Sequence, residues 1–203
     1  MIKDVIFDIG NVLTLFSWEQ HIRSFGFDDE TFEKVADATA RSSAWGEFDR
    51  GLEEDEVLKL FIKNDPSVEK EIRMMFENIE GTLSTADYAI PWILELKRRN
   101  LRTLILSNLS VKTLSECWKS LLFLNYTDGG ILSFREGVIK PEEEIYTRLI
   151  ERYDINPEEA VFIDDRSENI EAARRLGLNG IVFESYEQAS AELEELIRSK
   201  EGN

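Results

Sequence analysis

The chain has 203 residues, 42% of them hydrophobic and 32% charged, a composition that suits one folded domain with a sizeable insertion and excludes disordered or collagen-like chains. With 24 basic and 41 acidic residues the net charge is −17, which disfavours nucleic acid and anionic membrane as partners and requires local positive groups to hold any anionic substrate. The single cysteine, Cys117, rules out an internal disulfide framework and a cysteine-cluster zinc site; no leader pattern or bilayer-length apolar run is found, so the cytoplasm is expected.

The run DVIFD from Asp4 to Asp8, followed at once by Gly10 and Asn11, predicts a short buried strand with an acid at its C-terminal end. From about Thr14 to Leu83 the pattern is acidic and helical, with Phe32, Val35, Ala36, Val57, Leu60 and Phe61 at helix spacings and no convincing strand. A helix through Ala89, Ile93 and Leu96 follows, with a basic last turn and Asn100 as its C′ residue, then a strand at TLILSN, from Thr103 to Asn108. After a helix near Val111 to Lys119 and a looser stretch with Gly129, Gly130 and Gly137, Pro141 suits the first position of a helix that runs to about Tyr153. AVFIDD, from Ala160 to Asp165, is the next strand. A helix ending at Gly177, a strand at Ile181 to Phe183 and a last helix close the chain.

Strands alternating with helices predict an α/β fold: a three-layer Rossmann-like core with a parallel sheet, residues 1–14 and 84–203, and a helical module, residues 15–83, inserted after the first strand. Ligands of such sheets bind at the carboxyl ends of the strands. Asp8, Ser107 with Asn108, and Asp164 with Asp165 then share one rim. Three close carboxylates repel, and a hard divalent cation or a lysine such as Lys140 is the expected compensation. Asp is also a good helix N-cap, so Asp164 or Asp165 read alone has a purely local explanation.

In this order FDIGNV, LILSN, VIKPEEEIY and FIDDRSENI resemble the motifs of the haloacid dehalogenase (HAD)-like hydrolase superfamily, subfamily IA, with the match running from about Ile2 to Phe183. FDIGNV, WGEFDRG and GVIKPEEEIY further resemble a bacterial subgroup that includes an α-D-glucose-1-phosphate phosphatase. The resemblance implies a Mg²⁺-dependent phosphatase acting on a small phosphate ester, such as a sugar phosphate, beneath a C1-type helical cap. Asp8 would be the nucleophile and form an aspartyl phosphate. Mg²⁺ would be held by Asp8, the Gly10 carbonyl and Asp165, with Asp164 and Asn169 bound directly or through water. Asn11, Ser107 and Asn108 would bind the phosphoryl group, and Lys140 would neutralise it together with the nucleophile. Trp45 and Arg50 could face the substrate, or serve packing and the surface.

One position departs from the pattern. Most phosphatases of the superfamily carry a second aspartate two residues after the nucleophile, as general acid and base, and here that residue is Gly10. Three readings follow: a leaving group that needs little protonation, an acid from elsewhere (Glu47, Asp49 or a water held by Asn11), or a slow or non-catalytic phosphate binder. Haloacid dehalogenases also lack the second aspartate, but they need no Mg²⁺, and the Asp164/Asp165 pair makes sense chiefly around a cation.

Overall fold

The computed structural model of the protein describes residues 1–201. Five parallel strands form the central sheet: β1 (Asp4–Phe7), β4 (Arg102–Ser107), β5 (Gly130–Leu132), β6 (Ala160–Asp164) and β7 (Asn179–Val182), in the order β5-β4-β1-β6-β7. Its strands are apolar on both faces because both faces are covered. Val5, Phe7, Ile105 and Ile163 pack against α6 (Ala89–Arg98) and α10 (Tyr186–Glu201), while Ile6, Leu104, Leu106 and Phe162 pack against α8 (Glu143–Arg152) and α9 (Ser167–Arg175). This period-two division yields the three layers. Asn100 at φ 60° and Gly177 at φ 87° end their helices in the left-handed conformation, as the sequence predicts.

Four sequence expectations need correction. The helical module is entered and left by two short strands, β2 (Thr14–Phe16) and β3 (Leu83–Thr85), which pair antiparallel as Thr14↔Thr85 and Phe16↔Leu83. Three residues are too few for a periodic signal, so the helical pattern hides them. The looser stretch holds the edge strand β5, whose Gly130 lies so close to β4 that a Cβ there would sit 2.2 Å from the Ile105 carbonyl oxygen. Pro141 precedes helix α8, which starts at Glu143 with Glu142 as N-cap. Helix α7 (Val111–Glu116) is shorter than expected, and residues Trp118–Tyr126 continue as a 3₁₀ turn.

Between the ribbon strands lie α1 (Trp18–Arg23), α2 (Asp29–Ala38), α3 (Ser43–Asp49), α4 (Glu54–Asn64) and α5 (Glu69–Glu77). They enclose a core of their own, with Phe32, Phe48, Phe61, Ile72 and Phe76 fully or almost fully buried. Among the contacts that fasten this module to the sheet domain, three lie around the end of α3 and the start of α4. Ser133 Oγ donates to the Asp49 carbonyl at 2.5 Å, the Arg50 guanidinium grips Glu142 with two nitrogens, and buried Lys112 Nζ meets Glu54 at 2.7 Å. Among the described residues no helix is long and apolar enough to cross a membrane.

Candidate active site

The strand order reverses about β1, which places the crevice of the sheet at the carboxyl end of that strand. Asp8 stands there, the first residue past β1, its amide still donating to the Ile163 carbonyl at 2.9 Å. Beside it Asp164 ends β6 and Asp165 follows. One carboxylate oxygen from each of the three acids lies within 4.8 Å of the others.

Lys140 compensates two of these charges. Its ammonium is 2.7 Å from Asp8 Oδ1 and 2.7 Å from Asp164 Oδ2, and its side chain is 1% exposed, so both ion pairs are shielded from water. Burial works against the ammonium, and the two carboxylates outweigh it, holding Lys140 above the ordinary lysine range. Burial pushes the Asp8 carboxyl up to about 6, with Lys140 acting in the opposite direction and Asp164 adding to the rise.

The remaining polar residues divide into a supporting set and a cavity-facing set. Asp164, fully buried, accepts from the Arg166 amide at 2.8 Å and from Asn169 Nδ2 at 2.9 and 3.0 Å, so it organises the loop and aims Lys140. It is not the N-cap of α9, which is Arg166. Asn108 exchanges two hydrogen bonds with the Lys140 backbone, accepting at 2.8 Å and donating at 3.0 Å, so its amide positions the lysine and keeps one N–H for the cavity it lines. Asn11, at φ 55°, donates to Asp165 Oδ2 at 3.0 Å and accepts from the Phe16 amide, which ties Asp165 to the start of the ribbon. Burial also raises Asp165 above the ordinary carboxylate range, against the Asn11 hydrogen bond.

A cavity of 230 Å³ opens over these groups. Asp8, Gly10, Asn11, Ser107, Asn108, Lys140, Asp165 and Asn169 line its floor, so ten of the eleven residues singled out from sequence either line it or, like Asp164, support it, with Trp45 in the opposite wall. Arg50 is the exception and a correction: it is held by Glu142 and Glu47 and does not line the cavity. Trp45 both lines the cavity and packs inside the module, stacking on Phe61 at a centroid distance of 6.0 Å. The sequence reading missed the rest of the apolar wall, Phe16, Ala40, Leu83 and Leu109, which come from four separate places in the chain and share no local pattern.

Asp49 is a carboxylate in that wall, reaching the cavity from the end of α3. Burial pushes it up to about 7, and the Asp8 charge adds to the rise while Lys140 opposes it. Glu47, another acid considered from sequence, is exposed and paired with Arg50.

The chain belongs to the haloacid dehalogenase-like hydrolases, whose family model matches residues 2–177. It is 26% identical over 196 residues to a sesquiterpene phosphatase from Aspergillus oryzae, covering 96% of both chains. Among solved structures it is similar to a HAD-like family hydrolase from Porphyromonas gingivalis, with 21% identity, a TM-score of 0.73 and 98% of each chain covered. It also resembles a HAD family enzyme from Bacteroides thetaiotaomicron solved with magnesium and inorganic phosphate, at 22% identity and a TM-score of 0.68, over 93% of this chain and 99% of that one.

Proposed function

We propose that the protein is a Mg²⁺-dependent phosphatase that hydrolyses a small phosphate monoester through an aspartyl phosphate on Asp8. The observation that carries this reading is the convergence of Asp8, Asp164 and Asp165 within 4.8 Å beside a buried lysine. The donor set fits Mg²⁺. Asn169 Oδ1 is buried without a hydrogen-bond partner, Asp8 Oδ1 meets only the Lys140 ammonium, and oxygen-rich sites of this kind suit a hard cation that keeps waters and a phosphate in its shell. Asp8, Asp165 and the Gly10 carbonyl would hold the ion, with Asn169 behind them. Bound there, Mg²⁺ would neutralise charge developing on the phosphoryl oxygens.

The chain's own groups supply the rest of the chemistry. Lys140 keeps Asp8 ionised and oriented for in-line attack, and Asp164 with Asn108 keeps Lys140 in place. The Ser107 hydroxyl, buried at the end of β4, faces the same cavity as the nucleophile.

The leaving group occupies what the floor leaves free. Beside the polar Asp49, Thr113 and Arg166 the lining holds Phe16, Ala40, Trp45, Leu83 and Leu109, so a phosphate ester with an apolar leaving group suits it better than the sugar phosphate expected from the subgroup resemblance. The printed name of the Aspergillus oryzae relative, a sesquiterpene phosphatase, agrees with an apolar leaving group.

The test is phosphate release from a panel of alkyl, aryl and sugar phosphates with Mg²⁺. Wild-type turnover that disappears in Asp8→Asn and on chelation of Mg²⁺ is the expected result. Absence of any Asp8-dependent release across the panel would leave a phosphate binder, and halide release from a chlorinated acid without Mg²⁺ would leave a dehalogenase.

A further inference from the structure

We infer that Asp49, supplied by the inserted helical module, is the general acid and base of this site and takes the role that Gly10 has lost. The inference rests on the phosphatase reading above and adds to it the residue that moves the protons.

Geometry supports the assignment. Gly10 has no carboxylate, yet the backbone does not demand a glycine there: its φ is not positive, and a Cβ would meet nothing within 4 Å. The floor therefore holds an open space where the family pattern places an acid. Asp49 lines the same cavity as Asp8, near enough for the Asp8 and Lys140 charges to act on it. Among the described residues no hydrogen bond or ion pair engages its carboxylate, whereas Glu47 and the Asn11 amide that could hold a water are already engaged. Glu47 is exposed and paired with Arg50, and both ends of the Asn11 amide are bonded.

Asp49 is also held firmly from behind. Its carbonyl accepts from Ser133 Oγ, Arg50 next to it is clasped by Glu142, and Gly51 lies against the Phe134 carbonyl. Ser133, Phe134 and Glu142 all belong to the sheet domain, so the backbone that carries the Asp49 carboxyl is anchored to the same domain as Asp8. Its elevated titration, about 7, lets it carry a proton at neutral pH and give it up again. The groups that set this value are Asp8 and Lys140 on the floor, with burial as the largest cause.

The proton balance closes without any further reactant. As an Asp8 oxygen bonds to phosphorus and the ester P–O bond breaks, the Asp49 carboxyl gives its proton to the departing oxygen, which leaves as the alcohol. Asp49, now a carboxylate, takes a proton from the water whose oxygen attacks phosphorus. The P–O bond to Asp8 breaks, and the products are the alcohol and inorganic phosphate.

The test compares Mg²⁺-loaded wild type, Asp49→Asn and the double variant Asp49→Asn/Gly10→Asp on n-butyl phosphate and p-nitrophenyl phosphate. Butoxide needs a proton to leave and nitrophenolate does not. Asp49→Asn is expected to lose about 10²- to 10⁴-fold in kcat/KM on butyl phosphate. On p-nitrophenyl phosphate it should give a fast burst of nitrophenolate and then a slow steady state, with phosphoenzyme trapped on acid quench because water is no longer activated. The double variant should recover activity on butyl phosphate, since the space at Gly10 accepts a carboxylate. Equal loss on both substrates without a burst or trapped phosphoenzyme, or wild-type rates in Asp49→Asn, would overturn the assignment while leaving Asp8-dependent phosphatase activity intact. A wild-type protein with no Asp8-dependent activity overturns the phosphatase reading, and this assignment with it.

Discussion

Lys140 and Asp49 face the same acids with opposite consequences. The lysine relieves the repulsion between Asp8 and Asp164, whereas Asp49 adds a carboxylate to an already acidic cavity, and this has a cost that can be measured without any substrate. In the unfolded chain Asp49 ionises near its ordinary 3.8; in the folded protein it holds its proton up to about 7. Its contribution to stability is complete below pH 4 and is lost as pH rises toward 7, by at most about 4 kcal/mol at about 1.4 kcal/mol per unit. Metal-free Asp49→Asn is therefore expected to melt above wild type at pH 8 and level with it at pH 4. At about 2–4 °C per kcal/mol for a chain of this size, calorimetry at the two pH values resolves the difference. An equal shift at both would assign the gain to packing instead. The acids were legible in the sequence because each stands at the carboxyl end of a strand, where topology alone brings them to one rim, and Lys140 because it follows a glycine-containing loop shortly before a helix. Arg50 was misread for the converse reason: a cation in a helical segment shows no sign of its partner, and Glu142 lies 92 residues away.

At the level of elements, the sheet domain could be read because its strands are apolar throughout and bounded by turn residues, while β2, β3 and β5 were missed because three residues carry no period. These short elements set the site. The ribbon of β2 and β3 brings Phe16 and Leu83 into the cavity wall, and β5 leads into the Ser133–Arg135 turn on which the end of α3 rests. Gly51 is the point of closest approach: at φ 96° it adopts a conformation that suits glycine, and a Cβ would lie 2.7 Å from the Phe134 carbonyl oxygen. Gly51→Ala must strain the backbone and push α3 away from the turn. We expect a loss of about 1–3 kcal/mol in thermal unfolding, with a larger fractional loss in turnover than in Mg²⁺ affinity, because Asp49 moves while the floor does not. Titration of Mg²⁺ by calorimetry beside steady-state kinetics separates the two, and an equal loss in both would place the damage in the floor.

For the whole molecule, the helical module has its own apolar core, and its two chain connections run through the β2/β3 ribbon. A body with its own core joined at one edge is built to move as a unit, and the ribbon is where a hinge would absorb the change in backbone angles. In the arrangement seen here the module is shut: Asp49 and Trp45 reach the cavity over the floor, and Ser133, Lys112 and Glu142 hold them there. If an ester enters and its products leave through the face that the module covers, these contacts break in each cycle. Ser133 and Lys112 are buried ends, whereas the Arg50–Glu142 pair is partly solvated and worth about 1 kcal/mol or less, so opening breaks a few contacts while Phe48, Phe61 and Phe76 stay packed within the module. Mg²⁺ with a phosphate mimic such as orthovanadate adds interactions on the closed side alone and should shift the population toward it. Amide exchange is then expected to slow at 13–16 and 81–86, and along 133–135 where the module rests, with little change within α4 and α5. Unchanged exchange in the ribbon segments on binding would mean that the module is a fixed wall and that substrate enters by another route.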